Sequence, residues 1–483
     1  MTTRYVSGPQ LARLLGQTPR ERPVYLALAR RVRALVLDGR LAGHTRLPAE
    51  RDLASALGLS RTTVTAAYDR LREEGYVESR QGAGSWTALP PLRGPAPLAG
   101  GPGYGMSRAP DEAGTIDLGA AAPGAPAAFG EAVAAAVAEL PRYSDGPGYE
   151  PGGIAALREV VAARYAERGV PTRPDQIVVT TGAQHALVML LRVLVEPGAA
   201  VLAERPTYPH ALTALRERPA RIVPAGVTGG WDAELIAGAM RQAAVRLAYL
   251  IPDFQNPTGH LMGADERAVL AEAARRADTV LVADETFAEL ALDPAAALPP
   301  PLAAFDATGR VVSIGSASKL LWGGLRIGWI RTTAPLARRL AESRESLDMA
   351  SPVLDQLIVR ELLLRLGEVR AERAAALTAS RDALVAALRD RLPGWEFTVP
   401  DGGMSLWARV GLPVASLLAE AAERHGVRVV PGPVFGAEGV LEDFVRLPFV
   451  LPPGTLAAAV DRLAAAFAEV RAAPVARPRP AYV

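Results

Sequence analysis

Lys319 is the residue best suited to covalent chemistry, because it is the only lysine among 483 residues and every other strongly basic side chain is an arginine. A primary amine can attack a carbonyl carbon, whereas an arginine guanidinium stays protonated in proteins. Ser316, Ser318 and Arg326 lie close by in sequence, and hydroxyls with a guanidinium suit a phosphate. These residues predict that Lys319 forms a Schiff base with a carbonyl compound that carries a phosphate. The alternative is a surface lysine that an arginine-rich composition has spared.

A second set of candidate ligand-binding residues follows short apolar runs in the region 176–319. Runs rich in Val, Ile and Leu alternate there with longer Ala/Leu-rich helical patterns, which predicts an α/β domain with a mostly parallel sheet. Ligands of such sheets bind beyond the carboxyl ends of the strands. The residues at those positions, besides the serines and the lysine already named, are Gly182, Ala183, Gln184, Tyr208, Asn256 and Asp284.

The first 87 residues predict a separate small domain. Apolar residues recur at helical spacing over residues 23–39, 50–58 and 60–74, and residues 76–86 are typical of a hairpin with a glycine-rich tip. Three helices followed by a hairpin indicate a winged helix-turn-helix. The segment holds 14 arginines and 8 acidic residues, whereas the whole chain has a formal net charge of only +2. This excess of cations predicts a polyanionic partner for the N-terminal domain.

Two segments are rich in proline and lack apolar periodicity. Residues 88–113 are predicted to be a linker, and residues 474–483 a flexible tail. A linker of about 26 residues can span roughly 85 Å, which permits the N-terminal domain to dock far from its own body or on a neighbouring subunit. The expected folded domains are therefore residues 1–87 and 114–473.

Composition argues against several classes of protein. The chain has no cysteine, and its five histidines lie far apart without ligand spacing, so we expect neither disulfides nor a metal site. No stretch approaches about 20 uninterrupted apolar residues, and the N-terminal residues lack a secretory apolar segment. The expectation is a cytoplasmic protein without a membrane partner.

The N-terminal region resembles a known family in three motifs. They are Leu47-Pro48-Ala49-Glu50-Arg51-Asp52-Leu53-Ala54, Leu59-Ser60-Arg61-Thr62-Thr63-Val64 and Glu74-Gly75-Tyr76-Val77. Over residues 22–87 these resemble the GntR family of bacterial transcription regulators. The resemblance implies that a recognition helix and wing contact an operator in double-stranded DNA, through Arg51, Arg61, Thr63, Gln81 and Gly82. The alternative is a small helical bundle with solvated arginines.

The order and spacing of the strand-end residues resemble a second family. Gly182-Ala183-Gln184, Asn256-Pro257-Thr258-Gly259, Asp284 and the Lys319 motif together resemble the fold-type I enzymes that depend on pyridoxal phosphate, the aspartate aminotransferase superfamily, over residues 115–470. With the N-terminal domain, the chain resembles the MocR-type regulators. The implied fold is a mainly α winged helix-turn-helix followed by an α/β transferase domain with a smaller C-terminal α+β subdomain from about residue 375.

That resemblance assigns a role to each strand-end residue. Lys319 would form the Schiff base, Asp284 would face the pyridine nitrogen, and Asn256 would bond the phenolic oxygen. Tyr208 would stack on the ring. The phosphate would be held by Gly182, Ala183, Ser316, Ser318 and Arg326, with Gln184 in the same loop.

Two residues outside these motifs also receive roles. Arg446, in Phe444-Val445-Arg446-Leu447-Pro448, stands where the superfamily binds a substrate α-carboxylate, although it could instead be a surface arginine of an edge strand. Tyr143 resembles a residue that reaches the phosphate in the partner subunit. The resemblance thus implies a homodimer, and the linker length permits its subunits to exchange N-terminal domains.

One departure from the superfamily affects the expected function. A tyrosine usually follows the strand-end aspartate and donates to the phenolic oxygen, but this chain reads Asp284-Glu285-Thr286-Phe287. Thr286 could supply a hydroxyl instead. The main interpretation is a transcription regulator whose body binds pyridoxal phosphate and senses an amino compound or the cofactor itself. Two alternatives are an active aminotransferase acting on a free amino acid and a scaffold that only dimerises.

Overall fold

The computed structural model describes residues 4–16, 22–80, 84–88, 114–293 and 295–472. We call residues 4–88 the head and residues 114–472 the body. Gln81, Gly82, most of the predicted linker and the predicted tail lie outside the described residues. None of the described helices is long and apolar enough to cross a membrane.

The head contains the predicted three helices and hairpin, with an additional helix and strands around them. Its elements are β1 (Arg4–Tyr5), α1 (Gly8–Leu15), α2 (Val24–Leu37), β2 (Thr45–Arg46), α3 (Glu50–Leu57), α4 (Arg61–Glu73), β3 (Val77–Arg80) and β4 (Gly84–Thr87). The strands form one sheet in the order β1-β2-β4-β3. Helix α1 was not predicted, although Ser7 and Gln10 form a reciprocal capping box at its start.

Local signals explain the boundaries of the two helices that carry the GntR motifs. Helix α3 ends at Gly58, whose φ of +65° suits a residue without a Cβ. Helix α4 begins after Ser60, whose hydroxyl accepts a hydrogen bond from the Thr63 amide at 3.1 Å. Val64 and Leu71 of α4 are fully buried in the head's own core. The exposed side of α4 is therefore its polar side.

The body begins with a large α/β unit. Its strands are β5 (Ile116–Asp117), β6 (Ile177–Thr180), β7 (Ala200–Arg205), β8 (Arg221–Gly226), β9 (Leu247–Leu250), β10 (Val280–Asp284), β11 (Val311–Ser316) and β12 (Gly328–Arg331). Its helices are α5 (Phe129–Glu139), α6 (Ala155–Glu167), α7 (Ala183–Leu194), α8 (Pro209–Glu217), α9 (Ala233–Gln242), α10 (Ala264–Ala277), α11 (Ala334–Ser343) and α12 (Val353–Leu364).

Seven of these strands form one sheet in the order β6-β12-β11-β10-β9-β7-β8. All neighbours are parallel except β12, which runs antiparallel to both β11 and β6. Strands β6, β7, β9, β10 and β11 are buried along their whole length, as expected for a sheet covered by helices on both faces. The predicted mostly parallel α/β sheet is confirmed. The sequence analysis did not predict the antiparallel strand β12 within it.

The C-terminal part of the body forms a smaller α+β unit. It comprises α13 (Leu366–Arg391), β13 (Ser405–Arg409), α14 (Ala415–Arg424), β14 (Val427–Arg428), β15 (Val430–Pro431), β16 (Phe444–Pro448) and α15 (Pro453–Ala472). Strand β16 lies between β13 and β15 in an antiparallel sheet, and β14 pairs with β5. Helix α13 runs without interruption past residue 375, where the sequence predicts the start of this subdomain.

Candidate functional site

Lys319 lies three residues beyond the carboxyl end of β11, inside the body. Its ammonium donates to the Ala121 carbonyl at 2.7 Å. Burial, together with the Arg446 and Arg326 cations, lowers the pKa of Lys319 to about 8, while Asp284 opposes them. Near neutral pH a usable fraction of this amine is unprotonated. Lys319 therefore has the properties that a nucleophile needs, and it is not an exposed surface lysine.

Asp284 ends β10 on the neighbouring strand and is buried. The Tyr249 hydroxyl donates to its Oδ2 at 2.6 Å, and the Thr286 amide donates to its Oδ1 at 3.0 Å. Burial raises the pKa of Asp284, whereas these hydrogen bonds lower it. Tyr249 on β9 pairs with Val282, so its side chain lies on the same face of the sheet as Asp284. Sequence analysis missed Tyr249, whose only signal was a polar hydroxyl within a buried strand.

Gly182 and Arg326 form a narrow cup between β6 and β12. Gly182 has a φ of +87°, and a Cβ there would lie 2.8 Å from the Arg326 Nη2. A Cβ on Gly328 would lie 3.0 Å from the Ala183 amide nitrogen at the start of α7. These glycines allow the guanidinium and the first amides of α7 to approach each other. Such an arrangement of donors suits a phosphate.

Two serines extend this cup from β11. The Ser318 amide donates to the Ser316 hydroxyl oxygen at 3.2 Å, which fixes the turn that leads to Lys319. On the opposite side, Gln184 donates to the His210 carbonyl at 3.0 Å, and its own Oε1 finds no partner among the described residues. The cup therefore combines α7, the β11–β12 turn and the start of α8.

Asn256 is buried in a loop that Gln255 holds in place. The Gln255 amide group donates to Glu204 at 3.0 Å and to the Pro206 carbonyl at 2.7 Å, and its oxygen accepts from the Thr258 amide at 3.0 Å. Burial raises the pKa of Glu204 to about 7 despite its hydrogen bonds. Gln255 thereby ties the Asn256 loop to the loop after β7.

Tyr208 begins α8 and lies half-buried beside the site. Its ring centroid is 5.1 Å from that of His210. Burial raises the pKa of Tyr208 to about 12, with Asp284 adding to the effect, so its hydroxyl stays protonated. Burial also lowers the pKa of His210, as do the Lys319 and Arg446 cations. A neutral imidazole thus faces the same space as the two cations.

Arg446 lies on β16, the central strand of its sheet, with 6% of its surface exposed. The alternative of a surface arginine on an edge strand is therefore wrong. Its Nη2 donates to the Gly119 carbonyl, its guanidinium lies 5.2 Å from the Phe435 ring centroid, and burial lowers its pKa to about 10. Its Nε contacts no acceptor in the part of the chain that is described. The guanidinium thus retains capacity for a carboxylate.

The residues present fit pyridoxal phosphate. A partly neutral amine, a buried carboxyl on the adjacent strand and a donor-lined cup lie around one space, with Arg446 at its edge. Several buried polar atoms around this space, within the described residues, also lack partners: Gln184 Oε1, Thr207 Oγ1, His210 Nδ1 and Arg446 Nε. Polar groups that are buried without partners are costly, which indicates that a polar ligand completes the site.

The structure shows which hydroxyl groups lie near Asp284 in the absence of the usual tyrosine after it. The Thr286 amide donates to Asp284 at 3.0 Å, and its hydroxyl also interacts with that carboxyl and helps to lower the pKa of Asp284. Tyr249 supplies a phenol, but to Asp284 instead of the predicted acceptor. Tyr143, at the end of a short 3-10 helix over Leu140–Tyr143, is half-buried against the core of the body.

Three of the predicted DNA-contacting residues, Arg51, Arg61 and Thr63, lie on α3 and α4. Arg51 on α3 and Arg61 on α4 have side chains that are 85% and 75% exposed. Thr63 lies in the first turn of α4, where its hydroxyl contacts Ser60 at 2.8 Å. Helix α4 therefore presents its polar N-terminal turn and two nearby guanidinium groups to solvent, as a recognition helix requires.

Both the body and the head match families of known proteins. The family described as "Aminotransferase class I and II" matches residues 128–463, and "Bacterial regulatory proteins, gntR family" matches residues 24–86. The probable rhizopine catabolism regulatory protein MocR of Rhizobium meliloti is 33% identical over 435 residues, covering 85% of this chain and 86% of that protein. The chain belongs to the MocR-type regulators. It is a GntR-type regulator fused to an aminotransferase-like domain.

Two aminotransferases are similar to the body of this MocR-type regulator. The aromatic-amino-acid aminotransferase 1 of Thermococcus litoralis is 31% identical, over 65% of this chain and 77% of that enzyme. The crystal structure of LysN, the α-aminoadipate aminotransferase of Thermus thermophilus, superposes with a TM-score of 0.68 and 29% identity, over 74% of this chain and 93% of that one. That structure is complexed with N-(5'-phosphopyridoxyl)-L-leucine. The fold of the body thus implies pyridoxal phosphate.

Proposed function

We propose that this MocR-type regulator binds pyridoxal phosphate covalently through Lys319 and senses an amino compound that carries a carboxylate. The observation that carries the proposal is the amine of the only lysine, whose pKa is lowered to about 8 and which follows the Ser316–Ser318 turn. No other described side chain could hold an aldehyde in this way. The proposed domain division is residues 1–87, 88–113, 114–473 and 474–483.

The bound cofactor would supply an aldehyde carbon and a ring that accepts electron density. The residues around it would position and tune it. Asp284, kept in place by Tyr249 and the Thr286 amide, would hold a proton at the ring nitrogen, and Asn256 would donate to the phenolic oxygen. Tyr208 would cover one face of the ring. The phosphate would be held by Gly182, Ala183, Gln184, Ser316, Ser318 and Arg326.

The proposed ligand class follows from the cations that line the remaining space. Arg446 would bind the carboxylate of the ligand, because a planar guanidinium matches two carboxylate oxygens. His210 is neutral there and offers a buried nitrogen without a described partner, which suits a hydrogen-bonding group elsewhere on the ligand. An amino compound with these groups could reach both Lys319 and Arg446.

The proposed partners are an operator in double-stranded DNA and a second copy of this chain. Arg51, Arg61 and Thr63 would contact the DNA, with Gln81 and Gly82 at the wing. Tyr143 would reach the phosphate site of the partner subunit in a homodimer, in which the heads could be exchanged. A DNA-binding head requires the compartment that holds the DNA, so we place the protein in the bacterial cytoplasm.

A second candidate function is transamination of a free amino acid. The retained set of Lys319, Asp284 and Arg446 favours it, as does the similarity of the body to named aminotransferases. The absence of a tyrosine after Asp284 argues against efficient proton transfer, because the Thr286 hydroxyl is a poorer acid than a phenol. The regulator therefore remains the main proposal.

The deciding experiment follows the visible absorption of the cofactor-loaded protein while amino acids and amines are added without a keto acid. A sensor gives a shifted band that persists. Conversion to the pyridoxamine form, reversed by a keto acid, would establish the aminotransferase instead. The Lys319→Arg variant keeps the positive charge but cannot attach the aldehyde, so we expect it to lack the visible band of the wild type. An unchanged spectrum in this variant would overturn the assignment of Lys319.

A further inference from the structure

The head contacts the body through a tight turn, Asp38–Arg40, which we call the docking turn. The Thr228 hydroxyl of the body donates to the Asp38 carbonyl at 2.8 Å, and the Arg205 Nη2 donates to the Gly39 carbonyl at 2.9 Å. A Cβ on Gly226 would overlap the backbone of the docking turn, so the two backbones are in contact. This contact positions the head on the body.

Arg205 is an unusual residue for such a contact, because it is a charged side chain with only 1% of its surface exposed. Its Nη1 pairs with Glu438 of the body, while its Nη2 relies on the head. A buried guanidinium is stable only while its donors are paired. Its Nε has no partner among the described residues, so Arg205 would keep only Glu438 if the docking turn moved away.

Arg205 and its one partner within the body, Glu438, each lie close in sequence to a residue of the proposed ligand site. Arg205 ends β7 and precedes Tyr208 by three residues, and the Thr207 amide between them donates to the Phe435 carbonyl at 3.0 Å. Phe435 lies under the Arg446 guanidinium and three residues before Glu438. The segment 205–208 thus links Arg205 to Tyr208. The segment 435–438 links Glu438, the partner of Arg205, to Phe435 and so to Arg446.

We propose that Arg205 is a positioning residue that couples occupancy of the ligand site to docking of the head through the Asp38–Arg40 turn. This inference rests on the proposed function. A ligand that orders Tyr208 and Phe435 also orders both sides of Arg205, so its binding strengthens docking. The signal crosses this contact and does not depend on the length of the segment 89–113. Because coupling is reciprocal, loosening the docking turn weakens cofactor binding in the body.

The test measures the affinity of full-length protein for pyridoxal phosphate by visible absorption. The Gly39→Ala variant adds a Cβ at a φ of +80° that would overlap the buried Arg205 side chain. We expect its affinity to fall by about fivefold or more. The matched control is Gly43→Ala in the same head segment, where a Cβ would meet no described atom within 4 Å. Its affinity should equal that of the wild type.

A second variant changes only the body side of the contact. Thr228→Val keeps the shape of the side chain but removes the hydrogen bond to Asp38, and it should weaken cofactor binding while speeding amide exchange in residues 35–41. Lengthening the segment 89–113 by six residues should change neither quantity. Wild-type affinity in both Gly39→Ala and Thr228→Val would overturn the coupling and leave the proposed function intact. No visible band in the wild type itself would overturn both.

Discussion

The head and the body use arginine in opposite ways. In the head, Arg51 and Arg61 extend into solvent on and beside the recognition helix. In the body, Arg205, Arg267 and Arg344 are almost fully buried, and most of their hydrogen bonds go to backbone carbonyls and acidic side chains. An exposed guanidinium is free to meet the phosphates of DNA, whereas a buried one holds loops together. One residue type is thus exposed and available for the proposed DNA contacts in one region, and it holds loops together in the other.

Replacing a buried arginine of the body should have the largest effect among the variants that test this comparison of buried and exposed arginines. Arg267 lies at the start of α10, pairs with the buried Asp253 at 2.8 Å and donates to the carbonyls of Met262 and Pro300. We expect Arg267→Met to lower the free energy of unfolding by about 3–5 kcal/mol, because Asp253 is left buried without its partner. Urea denaturation measures this loss.

The matched control is Arg276→Met on the same helix, since Arg276 is 69% exposed and pairs only with the exposed Glu272. Its effect should stay below about 1 kcal/mol. Similar losses in the two variants would show that burial does not distinguish these arginines.

A second test concerns the pH dependence that Arg446 imposes on Lys319. Only the neutral amine attacks an aldehyde, so the rate of cofactor attachment should rise about tenfold per pH unit below the Lys319 pKa of about 8 and level off above it. Removing a nearby cation favours the ammonium form. Arg446→Met should therefore raise the pKa and move the midpoint of the rate profile to higher pH.

Stopped-flow absorption over a pH series measures this profile. Arg409→Met is a suitable control, because Arg409 lies on the adjacent strand β13, is 40% exposed and pairs with Asp443. A midpoint that stays in place in the Arg446 variant would show that Arg446 does not contribute to the lowered pKa of Lys319.

The smallest expected effect belongs to the exposed arginines of the head. We expect Arg61→Ala to weaken binding to the promoter region beside its own gene, and to reduce the slope of log affinity against log salt by about one. Stability should change by less than about 1 kcal/mol, because Arg61 forms only a 3.6 Å ion pair with Glu50.

Arg70→Ala provides the control at the other end of α4, where Arg70 pairs with Glu73 and Glu74. Its DNA affinity and salt slope should match those of the wild type. Unchanged and salt-insensitive binding in the Arg61 variant would contradict the winged-helix interface.

The sequence predicts those parts of the molecule that depend on short-range signals. The three head helices and the hairpin follow from caps, glycines and apolar periodicity, and the strand-end positions of Asp284 and Lys319 follow from apolar runs. The carbonyls that receive Lys319 and Arg446 could not be predicted, because Ala121 lies 198 residues from Lys319 and Gly119 lies 327 residues from Arg446. Tyr249 was missed for a similar reason, since a pairing between strands places it beside Asp284.

Because the head and the body belong to one chain, the few hydrogen bonds of the docking turn need to supply little binding free energy. A head that undocks stays covalently attached to the body, at an effective local concentration on the order of millimolar. Weak docking is then sufficient to keep the head seated, and the seated fraction does not depend on how much protein a cell makes. A ligand that changes the docking free energy by about 1.4 kcal/mol changes the ratio of seated to free heads tenfold. Through the contact at Gly39, the ligand alone can therefore set the fraction of heads that are docked.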